Sequence, residues 1–422
     1  MRILVIGSGG REHAICHAFA RSARVSKIYC APGNAGIAEL AELVDIDPTR
    51  ITELADHAAE HSIDLTFVGG ETSLALGIVD EFEGRGLKVI GPTKAAARLE
   101  ASKAFAKEFM KRHGVPTGEF ATAGSVREAR SVLESGAFGD ENSPVVIKAD
   151  GLAAGKGVVV AANRSDALSA IDGMAELVGE EAASTIVIEE YLEGREVSLL
   201  LFCDGKGYAL MPPTRDHKRI GEGDTGPNTG GMGTITDSAL LSDEEIRQIV
   251  DDIIEPTLAG CRDEGFPFHG VLFLGLMMTA SGPKLLEYNV RFGDPETQAI
   301  LVRLESDLVE ICEAITDGWL AELPIHWREG NSACVILASE GYPGRPRTGD
   351  AIAGLEDARM KDIEIFHSGT KLDGQGKLVT AGGRVLGITS VGADLETAIA
   401  WAYHSAGKIS WPGMQMRRDI GK

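Results

Sequence analysis

Short apolar runs that end in glycine alternate with amphipathic stretches over the first hundred residues. RILVIG (2–7) is rich in β-branched residues, and after its glycine turn apolar side chains recur at helical spacing, at Ala14, Ile15, Ala18 and Phe19. SKIYCAPG, IDLTFVGG and LKVIGP repeat the pattern of a strand followed by glycine, with helical stretches between them. Alternating strands and helices of this kind indicate a parallel α/β sheet.

The pattern changes after about residue 102. Helical stretches at about 102–135 and 165–178 accompany the apolar runs PVVIKAD and STIVIEEYLEG, which indicates a small α+β module with a glycine loop. REVSLLLFCDG, GYALMPP and FHGVLFLGLMM predict strands of a larger sheet, and a long helical pattern at 242–264 separates them. Beyond HWREGNSACVILAS, short strands and glycine turns continue to 422, which indicates a further C-terminal domain.

Composition restricts the class of protein. A chain of 422 residues is longer than one core usually supports, so we expect several domains. The net charge of −22 argues against a nucleic-acid partner, because no basic face is visible. The six cysteines form no C-x-x-C pair, and no apolar run suits a signal peptide or a bilayer span. We therefore expect a cytoplasmic protein with reduced thiols and no membrane partner.

The first glycine turn, GSGGREHA (7–14), is close to a dinucleotide fingerprint but lacks it. Glu12 stands where G-x-G-x-x-G needs glycine, and no acidic residue ends the second strand. Glycines at a helix N-terminus still suit a phosphate monoester, although a turn without a ligand explains this motif equally well. APGNAG (31–36), at the next strand end, favours binding because parallel strand ends converge on one crevice.

KADGLAAGKGV (148–158) begins with a lysine at a strand end and continues with three glycines and a second lysine. Such a loop can approach phosphates closely and supply cations to them. The ammonium of Lys148 would be costly to bury alone, so we expect an anionic partner. Lys103 by itself is typical of an exposed helix start. The acids of IEEYLEGREVS (188–198) suit ribose or adenine, or simply form a solvated turn.

Two later segments carry more chemistry. RDHKRIGEGDTGPNTGGMG (215–233) has six glycines and few apolar residues, which favours an ordered binding loop. In KLLEYNVRFGDPETQ (284–298), strand alternation predicts one face that carries Leu285, Glu287, Asn289 and Arg291. A carboxylate beside an amide oxygen suits Mg²⁺, and an arginine there suits a transferring phosphoryl group. A salt-bridge ladder on an exposed strand is the structural alternative.

Together with HSGTK and TAGGRVLGIT, these motifs closely resemble the phosphoribosylamine–glycine ligases (glycinamide ribonucleotide synthetases) of purine biosynthesis, an ATP-grasp family. The resemblance runs in order from residue 1 to about 421. It implies an α/β and α+β multidomain protein: a doubly wound α/β domain (1–101), an ATP-grasp domain (102–325) with a mobile lid at about 118–190, and a C-terminal α+β domain (326–422). It also implies that ATP, glycine and 5-phosphoribosylamine become ADP, phosphate and glycinamide ribonucleotide through a glycyl phosphate.

The resemblance also implies roles for individual residues, position by position. The expected ATP-binding residues are Lys103, Lys148, Gly151, Gly155, Lys156, Gly157, Glu189, Glu190, Tyr191, Leu192 and Glu196. The expected ligands of Mg²⁺ or Mn²⁺ are Glu287 and Asn289, and the expected catalytic residues are Arg291, Asp294 and Asp216. The expected substrate-binding residues are Gly9, Gly10, Asn34, Glu71, Asp216, Arg291, Gly293, Asp294 and Pro295.

The chain departs from the family pattern at a few positions. FLGLMM (273–278) lacks a further metal carboxylate that many ATP-grasp relatives carry. Gly70, Thr72 and Ser73 replace proline, alanine and proline, and Arg215 stands where glutamine is common. We expect these differences to adjust the substrate pocket without changing the reaction.

Three other functions compete with this one. Another ATP-grasp carboxylate–amine ligase would use a different amine or amino acid. A nucleotide-sensing protein without turnover would lack Glu287, Asn289 or Arg291, which are present. A dehydrogenase is disfavoured by the incomplete fingerprint. We expect small-molecule substrates, at most weak contact with neighbouring purine-pathway enzymes, and the single-activity form of the enzyme rather than a fused polypeptide.

Overall fold

A parallel sheet forms the N-terminal region of the computed structural model, which describes residues 1–151, 157–179 and 182–422. Its elements are β1 (Arg2–Gly7), α1 (Gly10–Ala20), β2 (Lys27–Pro32), β3 (Glu42–Leu43), α2 (Ile51–Glu60), β4 (Leu65–Val68), α3 (Glu71–Leu76), α4 (Ile78–Gly84), β5 (Val89–Ile90) and α5 (Lys94–Ala101). The strand order β3-β2-β1-β4-β5 puts β1 in the centre. The chain therefore winds outward in both directions, and the predicted doubly wound α/β sheet is confirmed.

A small antiparallel sheet follows. The elements are α6 (Lys103–Arg112), β6 (Phe120–Ala123), α7 (Val126–Glu134), β7 (Val145–Ala149), β8 (Val158–Ala161), α8 (Arg164–Val178) and β9 (Ile186–Glu190). The strands pair in the order β6-β9-β7-β8. Helices α7 and α8 cover the sheet and bury a hydrophobic core of their own, which includes Leu133, Ile147 and Ile171. The predicted α+β module is therefore confirmed as an architectural unit.

A larger antiparallel sheet is the centre of the molecule. Its first elements, with the helices between them, are β10 (Arg195–Asp204), β11 (Tyr208–Leu210), β12 (Thr214–Asp216), β13 (Arg219–Gly221), β14 (Thr225–Asn228), β15 (Gly233–Thr236), α9 (Asp243–Ile249), α10 (Glu255–Asp263), β16 (His269–Thr279), β17 (Gly282–Asn289), α11 (Glu296–Leu301) and α12 (Leu308–Asp317). A π-helical turn, Val250–Ile254, joins α9 to α10. Pro256 has no N–H to continue the regular hydrogen bonds there, which accounts for the irregular turn.

The C-terminal strands extend the same sheet. The elements are β18 (Asn331–Ala338), α13 (Leu355–Ala358), β19 (Ile363–His367), β20 (Thr370–Leu372), β21 (Leu378–Thr380), β22 (Arg384–Gly392) and α14 (Leu395–Ala406). The strand order is β17-β16-β10-β12-β15-β18-β22-β19, with β11 beside β10. Pairing of β15 with β18 therefore joins the region of β10–β17 to the C-terminal strands. No helix in the described part of the chain has the length and apolar character needed to cross a membrane.

Candidate active site

The carboxyl end of the N-terminal sheet faces the segment that follows β17. Arg11, in the first turn of α1, donates from Nη1 to the carbonyl of Phe292 at 3.1 Å. The same nitrogen lies 4.0 Å from the Glu71 carboxylate at the start of α3. A Cβ on Gly9 would come within 3.2 Å of Asp294 Oδ2. The crevice predicted from the glycine-terminated strands therefore lies between the N-terminal sheet and the segment that follows β17.

Glu12 shapes the glycine turn between β1 and α1. Its carboxylate accepts a hydrogen bond from the Gly9 amide at 2.6 Å and from Arg11 Nε at 2.6 Å. A Cβ on Gly7 or Gly69 would come within 2.6 or 2.1 Å of the Glu12 side chain, so glycine leaves room for it. The Gly9 amide is therefore satisfied internally. In the sequence, Glu12 served only to reject the dinucleotide fingerprint, because it stands where that motif needs glycine. Its capping role could have been predicted, since glutamate at the third position of a helix often caps the N-terminus.

Asn34 ties the turn after β2 to the C-terminal region. Its Nδ2 donates to the carbonyl of Ser8 at 2.8 Å and to that of His367 at 2.7 Å. Its Oδ1 accepts from two backbone amides, those of Gly36 and Ile37. All of the side-chain hydrogen-bonding groups of Asn34 thus have partners within the protein. The Asn34 side chain therefore shapes the crevice and has no free polar atom to present to a ligand.

A β-bulge changes the predicted face of β17. Glu287 lies opposite Gly275, whereas Leu285 lies opposite Leu276, so Leu286 is an extra residue in this strand. Leu285 is fully buried in the core. The prediction that Leu285 shares a face with Glu287 is therefore wrong, because simple alternation fails across an inserted residue. Glu287, Asn289 and Arg291 remain on the partly exposed side of the strand, as predicted.

Arg291 is held by two carboxylates and an amide. Its Nη2 lies 2.7 Å from Glu100 Oε1 and donates to Asn289 Oδ1 at 3.2 Å, and its Nε lies 3.2 Å from Glu71 Oε2. Burial opposes ionisation of Glu71, but Arg291 and Arg11 lower its pKa to about 2. The second oxygen of Glu100 accepts from the Val290 amide at 2.8 Å. Glu100 is a functional candidate that the sequence did not reveal, because nothing in the local sequence indicates its contact with Arg291.

Three lysines lie on α6 and β7, two on the helix and one on the strand. Lys148 Nζ lies 2.8 Å from Glu189 Oε1, so the predicted anionic partner of Lys148 is confirmed. Lys107 Nζ lies 2.7 Å from the other Glu189 oxygen, and burial followed by the charge of Lys148 lowers the pKa of Lys107 to about 8. Lys103 begins α6, as predicted, and donates to the carbonyl of Gly151 at 3.0 Å. Lys107 was missed, although its spacing of four residues from Lys103 places both on one helix face.

Glu287 is the centre of a group of opposite charges. Burial disfavours its carboxylate, but four surrounding cations lower its pKa below the ordinary value; these are Lys218, Lys148, Lys103 and Arg291. No cluster of three aspartate, glutamate, histidine or cysteine side chains suited to a metal occurs among the described residues. Glu287 and Asn289 therefore offer two protein oxygens, a donor set that fits Mg²⁺ when substrate phosphates complete its shell.

The glycine loop after β12 contacts both Asp294 and the C-terminal region. A Cβ on Gly231 would come within 2.5 Å of the Pro295 ring, and Arg384 donates to the carbonyl of Gly230. Arg384 Nη2 lies 3.1 Å from Asp294 Oδ2, and Gln298 Nε2 donates to Asp294 Oδ1 at 2.7 Å. Arg384 lies within one of the motifs quoted above, but local sequence gave no indication that it contacts Asp294.

The remaining predicted residues take up varied positions. Glu196 pairs with Lys218 at 2.9 Å, and burial raises the pKa of Asp216. Gly151 has φ of +108°, a conformation that favours glycine. Gly157 directly precedes β8, and Glu190 is the last residue of β9. Tyr191 and Leu192 follow β9, and Gly293 precedes α11. Gly155 and Lys156 lie outside the described residues, so their predicted contacts with phosphate stay predictions.

Three family models match the chain in order. The phosphoribosylglycinamide synthetase N domain matches residues 1–100, its ATP-grasp (A) domain matches 101–297, and its C domain matches 332–422. A curated phosphoribosylamine–glycine ligase from Yersinia pestis is 46% identical over 427 aligned residues, covering 100% of this chain and 98% of that relative.

Solved structures show the same similarity. The phosphoribosylamine–glycine ligase of Thermotoga maritima superposes with a TM-score of 0.85 at 34% identity, covering 99% of this chain and 100% of that one. The biotin carboxylase domain of Hydrogenobacter thermophilus 2-oxoglutarate carboxylase, solved with MgADP and bicarbonate, has a TM-score of 0.72 at 17% identity and covers 98% of this chain and 91% of its own. The second likeness concerns the fold alone.

Proposed function

Because the chain belongs to the phosphoribosylglycinamide synthetase family, we propose that its crevice ligates glycine to 5-phosphoribosylamine. The products are glycinamide ribonucleotide, ADP and phosphate, and the reaction is a step of purine biosynthesis. The observation that carries the proposal is the position of Arg291. It contacts Glu71 of the N-terminal domain and Asn289 on the candidate metal face. The proposed phosphoribosylamine region and the proposed metal region therefore meet at one guanidinium.

We propose that the lysines hold the phosphates of ATP. Lys103 and Lys148 come from different elements, and the charges of both act on Glu287. Cations placed on several sides of a phosphate chain hold its terminal group in line for transfer. Glu189 keeps Lys148 in place, and the glycines of the loop at 151–157 allow the backbone to approach. The strand end at Glu190, Tyr191 and Leu192 is the proposed adenine site, with Glu196 beside the ribose.

Glu287 and Asn289 are the proposed metal ligands. Mg²⁺ or Mn²⁺ bound there would neutralise charge on the β- and γ-phosphates. The low pKa of Glu287 keeps its carboxylate ionised and ready to bind a cation. The hydrogen bond from Arg291 leaves Asn289 Oδ1 with a second lone pair for the metal.

The chemistry requires activation of a carboxylate. Glycine's carboxylate is a poor acyl donor, so we propose that a carboxylate oxygen first attacks the γ-phosphorus and releases ADP. The resulting glycyl phosphate is then attacked by the amine of 5-phosphoribosylamine, which expels inorganic phosphate. Arg291 is the group that holds the glycine carboxylate and the developing charge, with Asp294 and Asp216 beside it. Gly293 and Pro295 complete that wall of the crevice.

The phosphoribosylamine is proposed to lie over the turn at Gly9 and Gly10. The carboxyl ends of β1 and β2 open there, next to Asn34 and Glu71. Helix α1 directs its N-terminal amides at this place, a position that favours a phosphate group. We propose that the chain divides near residues 101 and 325 and that the module at about 118–190 acts as the lid. The N-domain model ends at residue 100, the ATP-grasp model ends at 297 and the C-domain model begins at 332.

An omission assay tests this function. ADP release is measured with Mg²⁺, ATP, glycine and phosphoribosylamine formed in situ, and each component is left out in turn. The proposal predicts that release requires both glycine and the amine. Release that needs glycine but ignores phosphoribosylamine, or that occurs equally with another amino acid, would instead support a different carboxylate–amine ligase.

A further inference from the structure

The segment at residues 417–421 is bound to the hairpin of β13 and β14 by ion pairs and hydrogen bonds. The Arg417 side chain is only 2% exposed, which is rare for an arginine. Its Nη1 lies 2.6 Å from Asp224 Oδ1 at the hairpin tip and donates to the carbonyl of Arg219 at 3.2 Å. Its Nε and Nη2 both donate to the carboxylate of Asp419, each at 2.7 Å. One guanidinium thus links the segment to β13 and to the turn of the hairpin.

Two further contacts reinforce this link. Asp419 Oδ2 accepts from the Gly223 amide at 2.8 Å, so the carboxylate that holds Arg417 also holds the hairpin tip. The Gly421 amide donates to His217 Nε2 at 3.1 Å, just before β13. The segment therefore contacts the hairpin at its base and at its tip.

The segment itself is fixed to the body of the protein. Ile420 is buried in the same hydrophobic cluster as Ile235 of β15. The Tyr403 hydroxyl, on α14, accepts from the Ile420 amide at 3.0 Å and donates to the carbonyl of Arg417 at 2.9 Å. The hairpin, by contrast, pairs with none of the larger sheets within the described chain. The segment is accordingly the fixed partner, and the hairpin is the element that it holds.

The hairpin begins next to a residue of the candidate active site. Lys218 directly precedes β13, lies 2.9 Å from Glu196, and is the first of the cations acting on Glu287. The backbone of Lys218 also accepts from the Thr229 amide, which closes the base of the hairpin at 2.7 Å. Displacement of the hairpin would therefore move the Lys218 ammonium relative to Glu287 and the phosphates expected there.

We propose that Arg417 and Asp419 are positioning residues for phosphoryl transfer: they hold the β13–β14 hairpin against the segment 417–421 and thereby keep Lys218 in its ion pair with Glu196, at the proposed ATP site. This inference rests on the proposed ligase function. It gives the C-terminal region a part in the ATP site, beyond the contact of Arg384 with Asp294. None of the roles implied by the sequence motifs extends to these residues.

The test compares Arg417→Ala and Asp224→Ala with Arg418→Ala. Arg418 is exposed and has the same charge as Arg417, so it controls for the loss of one cation. The Asp224 side chain is 71% exposed, so its removal spares the fold even if Arg417→Ala fails to fold. Each variant is assayed well below its melting temperature. Trypsin cleavage after Lys218 and Arg219 is followed separately as a measure of hairpin release that does not depend on activity.

The proposal predicts that Arg417→Ala lowers kcat about 10-fold or more and raises the KM for ATP, because small displacements of a catalytic group are costly. The KM for phosphoribosylamine stays unchanged, since its site is formed elsewhere. Asp224→Ala changes kcat in the same direction, Arg417→Lys recovers part of the loss, and hairpin cleavage accelerates in both alanine variants. Because they remove one shared contact, the effects of the two alanine substitutions are less than additive when combined.

The proposal is overturned if Asp224→Ala retains the kcat and the cleavage rate of Arg418→Ala. It is also overturned if Arg417→Ala lowers kcat while the KM for ATP and the hairpin cleavage rate remain at wild-type values. A wild-type protein that shows no release of ADP dependent on glycine and the amine would contradict the proposed function instead. In that case, hairpin cleavage still decides whether the segment holds the hairpin.

Discussion

Lys148 and Glu189 form an ion pair almost closed to water, with 2.8 Å between Nζ and Oε1 and exposed fractions of 7% and 4%. The other Glu189 oxygen lies 2.7 Å from Lys107. One carboxylate on β9 of the small antiparallel sheet therefore balances two lysines. Because buried charges are stable only when paired, Glu189 is the counter-charge that both lysines require in this region.

Glu189→Gln is expected to lower the free energy of unfolding by about 3 kcal/mol, because it leaves two buried ammonium groups without a carboxylate. Urea unfolding measures the change. Glu190→Gln is the matched control: its side chain is 41% exposed and 3.6 Å from Lys284, so it should cost less than about 1 kcal/mol. Equal losses in the two variants would show that Glu189 is not the required counter-charge.

Glu100→Gln is expected to lower kcat about 10-fold or more, because Arg291 loses the carboxylate that orients it. The amide oxygen of glutamine can still accept the hydrogen bond from the Val290 amide, so the melting temperature should change little. Steady-state kinetics with glycine as the varied substrate, together with a thermal melt, separate the two effects. An unchanged kcat would mean that Arg291 is oriented without Glu100.

Gly10→Ala is expected to raise the KM for phosphoribosylamine and leave the KM for ATP unchanged. The new Cβ would come within 2.5 Å of Gln298 Nε2 and 2.7 Å of Ser368 Oγ, so the turn must shift. Gly84→Ala is the control, because nothing lies within 4 Å of a Cβ at that helical position. The control should keep wild-type kinetics. A Gly10→Ala enzyme with the same KM values would argue against an amine site at this turn.

Stability is expected to fall as the pH drops below about 6.5. Burial lowers the pKa of His13 to about 3, and repulsion from His367, His17 and Arg359 whenever they carry a positive charge adds to the effect. Burial also lowers the pKa of His367 to about 4, against the opposing charge of Glu39. Both rings are neutral in the folded protein, and His13 Nδ1 accepts the His367 amide at 2.8 Å. The unfolded chain binds these protons first, so acid favours unfolding.

Urea midpoints between pH 7.5 and 5 measure this effect. Each such histidine contributes at most about 1.4 kcal/mol per pH unit to the slope. His13→Gln removes one titrating ring and retains an acceptor, so its stability should depend less steeply on pH. A variant with the slope of the wild type would show that His13 is not protonated on unfolding in this range.

The sequence predicted those features that depend on neighbours along the chain. Alternating apolar runs located β1 and the doubly wound sheet, and the helical pattern from about residue 102 placed Lys103 at the start of a helix. Burial of a lysine in an apolar strand was enough to predict that Lys148 has an anionic partner, because an unpaired ammonium there would be too costly. Glu287, Asn289 and Arg291 could be grouped because each is two residues from the next.

Contacts between distant segments could not be predicted in this way. Glu100 is 191 residues from Arg291, and Arg417 is 193 residues from Asp224, so no local pattern connects them. Two consecutive leucines, Leu285 and Leu286, interrupt the alternation where the bulge lies, but the pair alone does not show which residue is the inserted one. Such features depend on how the sheets and helices pack, which a single sequence does not specify locally.

The most direct test of the central claim follows the oxygen atoms of glycine. Glycine labelled with ¹⁸O in its carboxylate is converted with ATP and phosphoribosylamine, and the released phosphate is analysed by mass spectrometry. If glycine is activated as glycyl phosphate, one labelled oxygen leaves with each phosphate and the other remains in the amide product. Unlabelled phosphate, formed alongside glycinamide ribonucleotide, would contradict activation of glycine by phosphoryl transfer in this site.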